Sequence, residues 1–254
     1  MLYEDERIDE INEYLSVIQK KDGLTFTSDA YLLASFVGGH HARCADLGSG
    51  TGVVALLCTQ KGKADLTYAV ELQSEFAELI GRNAELNGLT ERIIPVNADV
   101  RNLSRGDIGG AVDAVFANPP YMKKGHGIPS ANRMMNDARY EENGTFADFA
   151  DCAARLLRGG GSFYVVHRAD RIADVLGGMK NAGIEPKRLV MIYPDRKSAP
   201  NLLLCEGRRC GGEGLEIAPP LILYNDDRSE TEDHRRVYEH CSLDFIFTKG
   251  RVTL

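Results

Sequence analysis

Short apolar, β-rich runs alternate with amphipathic stretches between about residues 42 and 194, the pattern of a parallel sheet covered by helices. Residues 43–47 read as a strand and residues 51–60 as the helix after it. A second strand spans 66–71. Ser74 is the expected N-cap of a helix carrying Phe76, Leu79, Ile80 and Leu86, and Asn87-Gly88 is its stop. Residues 93–96 and 112–117 read as the third and fourth strands. Thr145 and Asp148 resemble a capping box, with Asp in place of Glu or Gln. Phe146, Phe149, Ala150, Ala153, Leu156 and Leu157 then fall at helical spacing, and Gly159-Gly160-Gly161 closes that run. A fifth strand at 162–166 and a helix at 171–182 follow.

The texture changes after Gly183. Residues 188–193 and 202–206 read as two strands joined by the polar turn 194–198, an antiparallel pair closing the sheet. Residues 207–216 read as a Gly-rich loop, and 219–224 as an edge strand, where prolines are tolerated. Upstream, a helix is expected over 30–37, with Ser28-Asp29 able to cap it. The pattern implies an α/β, Rossmann-like fold: a mainly parallel sheet, an antiparallel C-terminal hairpin and helices on both faces. One domain at 42–225 is expected, preceded by an extension over 1–41 and followed by a tail, 226–254, packed on the same domain.

At 254 residues, 43% hydrophobic and 26% charged, the composition is that of a soluble globular chain and excludes disorder. No apolar run approaches the ~18 residues that cross a bilayer. The acidic N-terminus lacks the order of a signal peptide, so a cytoplasmic protein is expected. Cysteines 44, 58, 152, 205, 210 and 241 form no CxxC pair, as in a reducing compartment, and no metal site is expected. His40-His41 and His167 have no ligand-like companions, so structural roles are expected for them. The net charge of −7 is unevenly spread. Residues 121–210 hold 15 Lys/Arg against 10 Asp/Glu, whereas residues 1–120 hold 10 against 18. A basic middle third is compatible with a polyanionic partner or with plain solvated surface.

Asp46-Leu-Gly-Ser-Gly-Thr-Gly52 lies where the first strand of this region turns into its helix. Glycines there permit a tight turn and bring backbone N–H groups close to a ligand at a helix N-terminus. Position 53 is Val, so the dinucleotide pattern G-x-G-x-x-G is not completed. Glu71 closes the second strand 21 residues after Gly50, where a carboxylate accepts both hydroxyls of a ribose. Asp99, after the third strand, is placed to accept from an adenine amino group. Gly48, Ser49 and Gly50, with Glu71, Leu72, Asp99 and Val100, make a candidate nucleotide site. An NAD enzyme and a purely structural loop are the competing readings.

Asn118-Pro-Pro-Tyr121 follows the fourth strand. Pro119 and Pro120 remove two backbone donors and stiffen the loop. The Asn118 side-chain oxygen and a main-chain carbonyl can then accept both hydrogens of a planar NH2 group, on which the Tyr121 ring can stack. Such an amine is a poor nucleophile because its lone pair is delocalised. Two acceptors draw the nitrogen towards a tetrahedral shape, which is orientation plus electrostatic preorganisation.

Glycine loop, ribose acid and adenine acid in this order resemble the S-adenosylmethionine (SAM) methyltransferase fold. The resemblance implies that Asp46 helps place the methionine portion and that Asn118 borders the cofactor. Asn-Pro-Pro-Tyr resembles the amino-methyltransferase signature shared by adenine-N6 enzymes and release-factor glutamine methyltransferases. The latter usually carry a sizeable helical domain ahead of the glycine loop, and only 45 residues precede Asp46 here.

Residues 23–33, 138–141, 156–160, 164–168, 185–188, 201–204 and 219–222 resemble the bacterial tRNA adenine-N6 methyltransferase family that acts beside the anticodon of a valine tRNA. By that resemblance Thr27, Ser28 and Asp29 belong to a segment closing over the cofactor. The expected activity is SAM-dependent methylation of an adenine N6 in tRNA, without metal, membrane or obligate protein partner, by a monomer or homodimer. A protein glutamine methyltransferase and a non-catalytic SAM- or RNA-binding module are the alternatives. Lys123, Lys124, Arg133 and Arg139 beside the loop, and Arg196 and Lys197 in the hairpin turn, are the candidate RNA phosphate contacts.

Overall fold

The computed structural model describes residues 2–21, 28–121 and 144–248. Strands β1 (Glu6–Asn12) and β2 (Leu15–Lys20) form an antiparallel hairpin. Helix α1 (Ser28–Phe36) precedes β3 (His41–Leu47), α2 (Val53–Gln60), β4 (Ala64–Glu71), α3 (Ser74–Leu86), β5 (Ile93–Asn97) and β6 (Val112–Ala117). Then come α4 (Phe146–Leu156), β7 (Leu157–Arg168), α5 (Ile172–Asn181), β8 (Ile184–Tyr193) and β9 (Leu202–Arg209). Two short strands, β10 (Glu216–Ile217) and β11 (Leu221–Ile222), and helices α6 (Glu232–His240) and α7 (Asp244–Thr248) complete the described chain.

The main sheet runs β10-β8-β9-β7-β6-β3-β4-β5, with β11 also paired to β8. Strand β9 is antiparallel to both neighbours and the remaining pairings are parallel. From β3 the chain builds outward through β4 to β5, then returns to place β6 on the other side of β3. That reversal opens a crevice at the strands' C-terminal ends. The expected antiparallel pair is present, but β9 inserts between β7 and β8.

Alternation along each strand sorts the core into two layers. Cys44, Phe116, Tyr164 and Leu204 face α1 and α2, whereas Ala45, Val115, Phe163 and Leu203 face α4 and α5. The capping box at Thr145 and Asp148 is formed, with both reciprocal hydrogen bonds. Helix α4 ends at Leu156, and the three glycines lie within β7 rather than in a helix stop. A Cβ on Gly161 would come within 2.9 Å of the Asp113 carbonyl oxygen, so that strand crossing needs glycine. At α3 the N-cap is Gln73 in extended conformation, one residue before the expected Ser74.

Two features are elements that the sequence pattern does not predict. The β1–β2 hairpin docks on α3 through polar side chains: Glu6 is 2% exposed and takes two 2.7 Å hydrogen bonds from Arg82. Asn83 and Asn87, one helical turn apart, each accept an N–H from β2 (Ile18 and Ser16) and donate to the same residue's carbonyl. Their side-chain amides thus act as a mimic of a neighbouring strand. The second feature is the pair α6 and α7, which packs on α1. Tyr31 stacks on Tyr238 with ring centroids 4.3 Å apart and donates its hydroxyl to the Tyr238 carbonyl at 2.8 Å.

Candidate active site

Register places the site. Leu47 of β3 is level with Val70 of β4 and Ala117 of β6, and Val70 is level with Val96 of β5. One residue further, Asn97, Glu71, Gly48 and Asn118 therefore share a row along the crevice. Glu71 and Asn118 stand on either side of β3, roughly 10 Å apart at two strand spacings.

Gly48, Gly50 and Gly52 have φ of +66°, +57° and +87°, in the left-handed region that side chains disfavour. A Cβ on Gly48 would also meet the Phe149 ring at 3.2 Å, whereas one on Gly50 would point into open space. The Ser49 N–H donates to the Val70 carbonyl at 3.0 Å, closing the turn against β4. Beneath it, the buried Asp46 carboxylate accepts from the Ser49 hydroxyl at 2.6 Å and the Ala55 N–H at 3.3 Å. Burial pushes the Asp46 carboxyl up to about 6 against these two hydrogen bonds.

The buried Glu71 accepts from the Gly50 N–H on one oxygen and the Gln73 N–H on the other, both at 3.0 Å. Burial raises its pKa, opposed by those N–H groups. Each oxygen keeps lone-pair capacity for a ribose hydroxyl. Next to it the Leu72 side chain is exposed, with its carbonyl held by the Asn97 amide at 2.9 Å. Val100 is 6% exposed and packs in the core layer beneath α4. Asp99 is clamped by Arg101, which donates its backbone N–H and its guanidinium to the carboxylate and holds the pKa low. An adenine amine would share those oxygens with Arg101.

On the other side of β3, Pro119 is buried and Asn118, Pro120 and Tyr121 are half-buried. The Tyr121 hydroxyl lies within hydrogen-bond reach of two oxygens, Asn118 Oδ1 and, at 3.2 Å, Asp29 Oδ2 at the start of α1. Burial raises the Asp29 carboxyl and, with Asp29 beside it, the Tyr121 phenol. The Tyr121 ring sits 5.1 Å from that of His167, which is buried at the end of β7. The Arg168 N–H donates to His167 Nδ1 at 2.9 Å, and burial pushes the imidazole down to about 4. His167 is thus neutral with its proton on Nε2, in keeping with the structural role expected for it.

Two of the candidate phosphate contacts, Arg196 and Lys197, are separate from this centre. Arg196 and Lys197 are exposed in the β8–β9 turn, at the same sheet edge but three strand spacings from β6, roughly 15 Å. Lys197 pairs with Asp226 at 2.9 Å. Thr27, Lys123, Lys124, Arg133 and Arg139 lie outside the described residues. His40 pairs with Asp65 and His41 contacts the Gly38 carbonyl. Among the described residues no group of His, Cys, Asp and Glu could hold a metal ion, and no helix is long and apolar enough to cross a membrane. The contact of Asp29 with Tyr121 spans 92 positions and has no sequence signal.

The open Gly50 surface and the lone pairs left on Glu71 suit a nucleoside lying across the end of β3, and the architecture is that of the SAM-dependent methyltransferase fold. Residues 34–138 match the TRM5/TYW2 methyltransferase domain. The chain is similar to the tRNA1(Val) (adenine(37)-N6)-methyltransferase of Porphyromonas gingivalis, 27% identical over 71% of this chain and 73% of that protein. It is also similar to the enzyme of the same name from Dyadobacter fermentans, 23% identical over 84% and 87% of the two chains. Among solved structures, a predicted O-methyltransferase from Agrobacterium tumefaciens superposes with a TM-score of 0.68 at 22% identity, covering 84% of this chain and 97% of that one. The resemblance to the bacterial tRNA adenine-N6 methyltransferases drawn from the sequence holds, and so does the fold class.

Proposed function

We propose that the protein transfers a methyl group to the exocyclic N6 amine of an adenine in tRNA, next to the anticodon. One observation carries the reading: Asn118, on its proline-stiffened loop with Tyr121, shares a row with Gly48 and Glu71 across the crevice. The names of the similar proteins point to the same base and the same RNA. SAM, when bound, supplies an electrophilic methyl group on sulfur. In this reading Glu71 holds the ribose, the glycine loop approaches the chain of the cofactor, and Asp46 supports that loop from below. Thr27, Leu72, Asp99 and Val100 complete the enclosure.

The protein's part in the chemistry is orientation. Asn118 Oδ1 accepts one amine hydrogen and a loop carbonyl the other, while the Tyr121 ring supports the base plane. The adenine leaves its stack to reach this loop. Lys123, Lys124, Arg133, Arg139, Arg196 and Lys197 contact phosphates and set the RNA's position without reading sequence. The test incubates the protein with labelled SAM and either an unmodified valine tRNA transcript or a release factor, then digests the RNA to nucleosides for mass spectrometry. N6-methyladenosine is expected; methylated guanosine or methylated glutamine overturns the assignment.

A further inference from the structure

The Tyr121 hydroxyl carries one proton and faces two acceptors, Asn118 Oδ1 and Asp29 Oδ2. A phenol donates a single hydrogen bond. When that proton points at Asn118, it takes one of the two lone pairs of the oxygen that the proposed reaction needs and competes there with the substrate amine. When it points at Asp29, the Asn118 oxygen is released. A carboxylate is the stronger acceptor of the two, because the hydrogen bond is charge-assisted.

Asp29 is well placed to compete. It sits in the first turn of α1, whose Tyr31 is stacked on Tyr238 and hydrogen-bonded to that residue's carbonyl. Its other oxygen is 3.4 Å from the Ser28 hydroxyl. The acceptor therefore rides on a helix anchored to the C-terminal helices, independent of the loop that carries Asn118 and Tyr121.

We infer that Asp29 is a positioning residue that draws the Tyr121 hydroxyl proton away from Asn118, keeping Asn118 Oδ1 free to accept an N–H from the substrate amine. The inference rests on the methyl-transfer reading above and assigns Asp29 a role through Tyr121 instead of through the cofactor. In D29N, the new amide can donate to the phenol oxygen, which turns the phenol proton back onto Asn118. In Y121F there is no proton to redirect.

The experiment measures single-turnover methyl transfer from labelled SAM to an unmodified valine tRNA transcript in wild type, D29N, D29A, Y121F and D29N/Y121F. SAM affinity of each is measured by calorimetry and folding by circular dichroism. D29N and D29A are expected to slow transfer about tenfold or more with SAM affinity kept within about twofold, and Y121F to lose only about threefold. The double variant is expected to be no slower than Y121F. An equal D29N deficit in both backgrounds, a loss of SAM affinity, or full activity in D29N and D29A overturns the inference. A wild type that leaves the transcript unmethylated overturns the functional reading and this inference with it, whereas an active wild type with an unaffected D29N overturns only the role of Asp29.

Discussion

The Asn83 side chain donates to the Thr51 carbonyl at 2.9 Å, joining the last turn of α3 to the glycine loop. The same amide group exchanges hydrogen bonds with Ile18 of the N-terminal hairpin, at 2.7 Å and 3.2 Å. One fully buried side chain thereby holds the hairpin, the helix and the cofactor loop in a fixed arrangement.

Replacing Asn83 with Ala leaves the Ile18 N–H and two carbonyls without these partners in a buried setting. A loss of about 2–3 kcal/mol in urea unfolding is expected, because orphaned buried polar groups cost more than a hydrogen bond contributes. SAM affinity should fall as well, since Thr51 belongs to the loop. Unfolding curves and calorimetry on the same variant decide it. Lowered stability with unchanged SAM affinity would detach Asn83 from the site.

Glu6 is held by Arg82, whose hydrogen bonds bring its carboxyl down to about 2 from 4.5. The folded value lies below the unfolded one, so the stabilisation is complete above pH 4.5 and is lost as pH falls towards 2. Glu6→Gln is expected to cost about 3 kcal/mol at neutral pH, because Arg82 is left beside an uncharged partner. The deficit should shrink on acidification through that window. A variant as stable as wild type at pH 7 would count the pair as neutral.

Asp46 behaves in the opposite sense. Its folded value of about 6 lies above the unfolded 3.8, so the fold holds more protons between those values and loses stability as pH rises through them. Asp46→Asn should remove this slope and gain roughly 2–3 kcal/mol above pH 6, less whatever the Ser49 and Ala55 contacts lose. With SAM binding dependent on an ionised Asp46, affinity in the wild type should fall as pH drops below about 6. Calorimetry from pH 5 to 8 that shows a flat affinity would exclude Asp46 as the group responsible.

For Asn118→Ala, the fold and most SAM binding should persist, because the residue lies half-buried at a strand end. Single-turnover transfer should drop about 100-fold or more, the order expected for losing one preorganised polar contact to the reacting group. Glu71→Ala should instead weaken SAM binding by about 1.5–3 kcal/mol through loss of a charge-assisted contact. Quench-flow separates the two effects, and full activity in Asn118→Ala would sink the mechanism.

The sequence by itself determined the elements whose signals are local. Short apolar runs placed β3, β4 and β6, and apolar residues at helical spacing placed α4, to within a few residues, because burial on both faces of a central strand or on one face of a helix is written locally in the sequence. Glycine spacing marked the Gly48 to Gly52 turn, since its positive φ values demand glycine, and Thr145 with Asp148 marked the start of α4. Candidate chemistry at Glu71 and Asn118 was legible for the same reason: one closes an apolar strand and the other directly follows one. Only the tertiary structure decided that Glu71 and Asn118 share a row, because strand order and register depend on pairing between distant segments. Insertion of β9 between β7 and β8, docking of the hairpin through Glu6, Asn83 and Asn87, and the approach of Asp29 to Tyr121 are of the same kind. These polar contacts join residues 65 to 92 positions apart and leave no periodic trace, since a buried hydrogen bond is defined by where two groups meet in space.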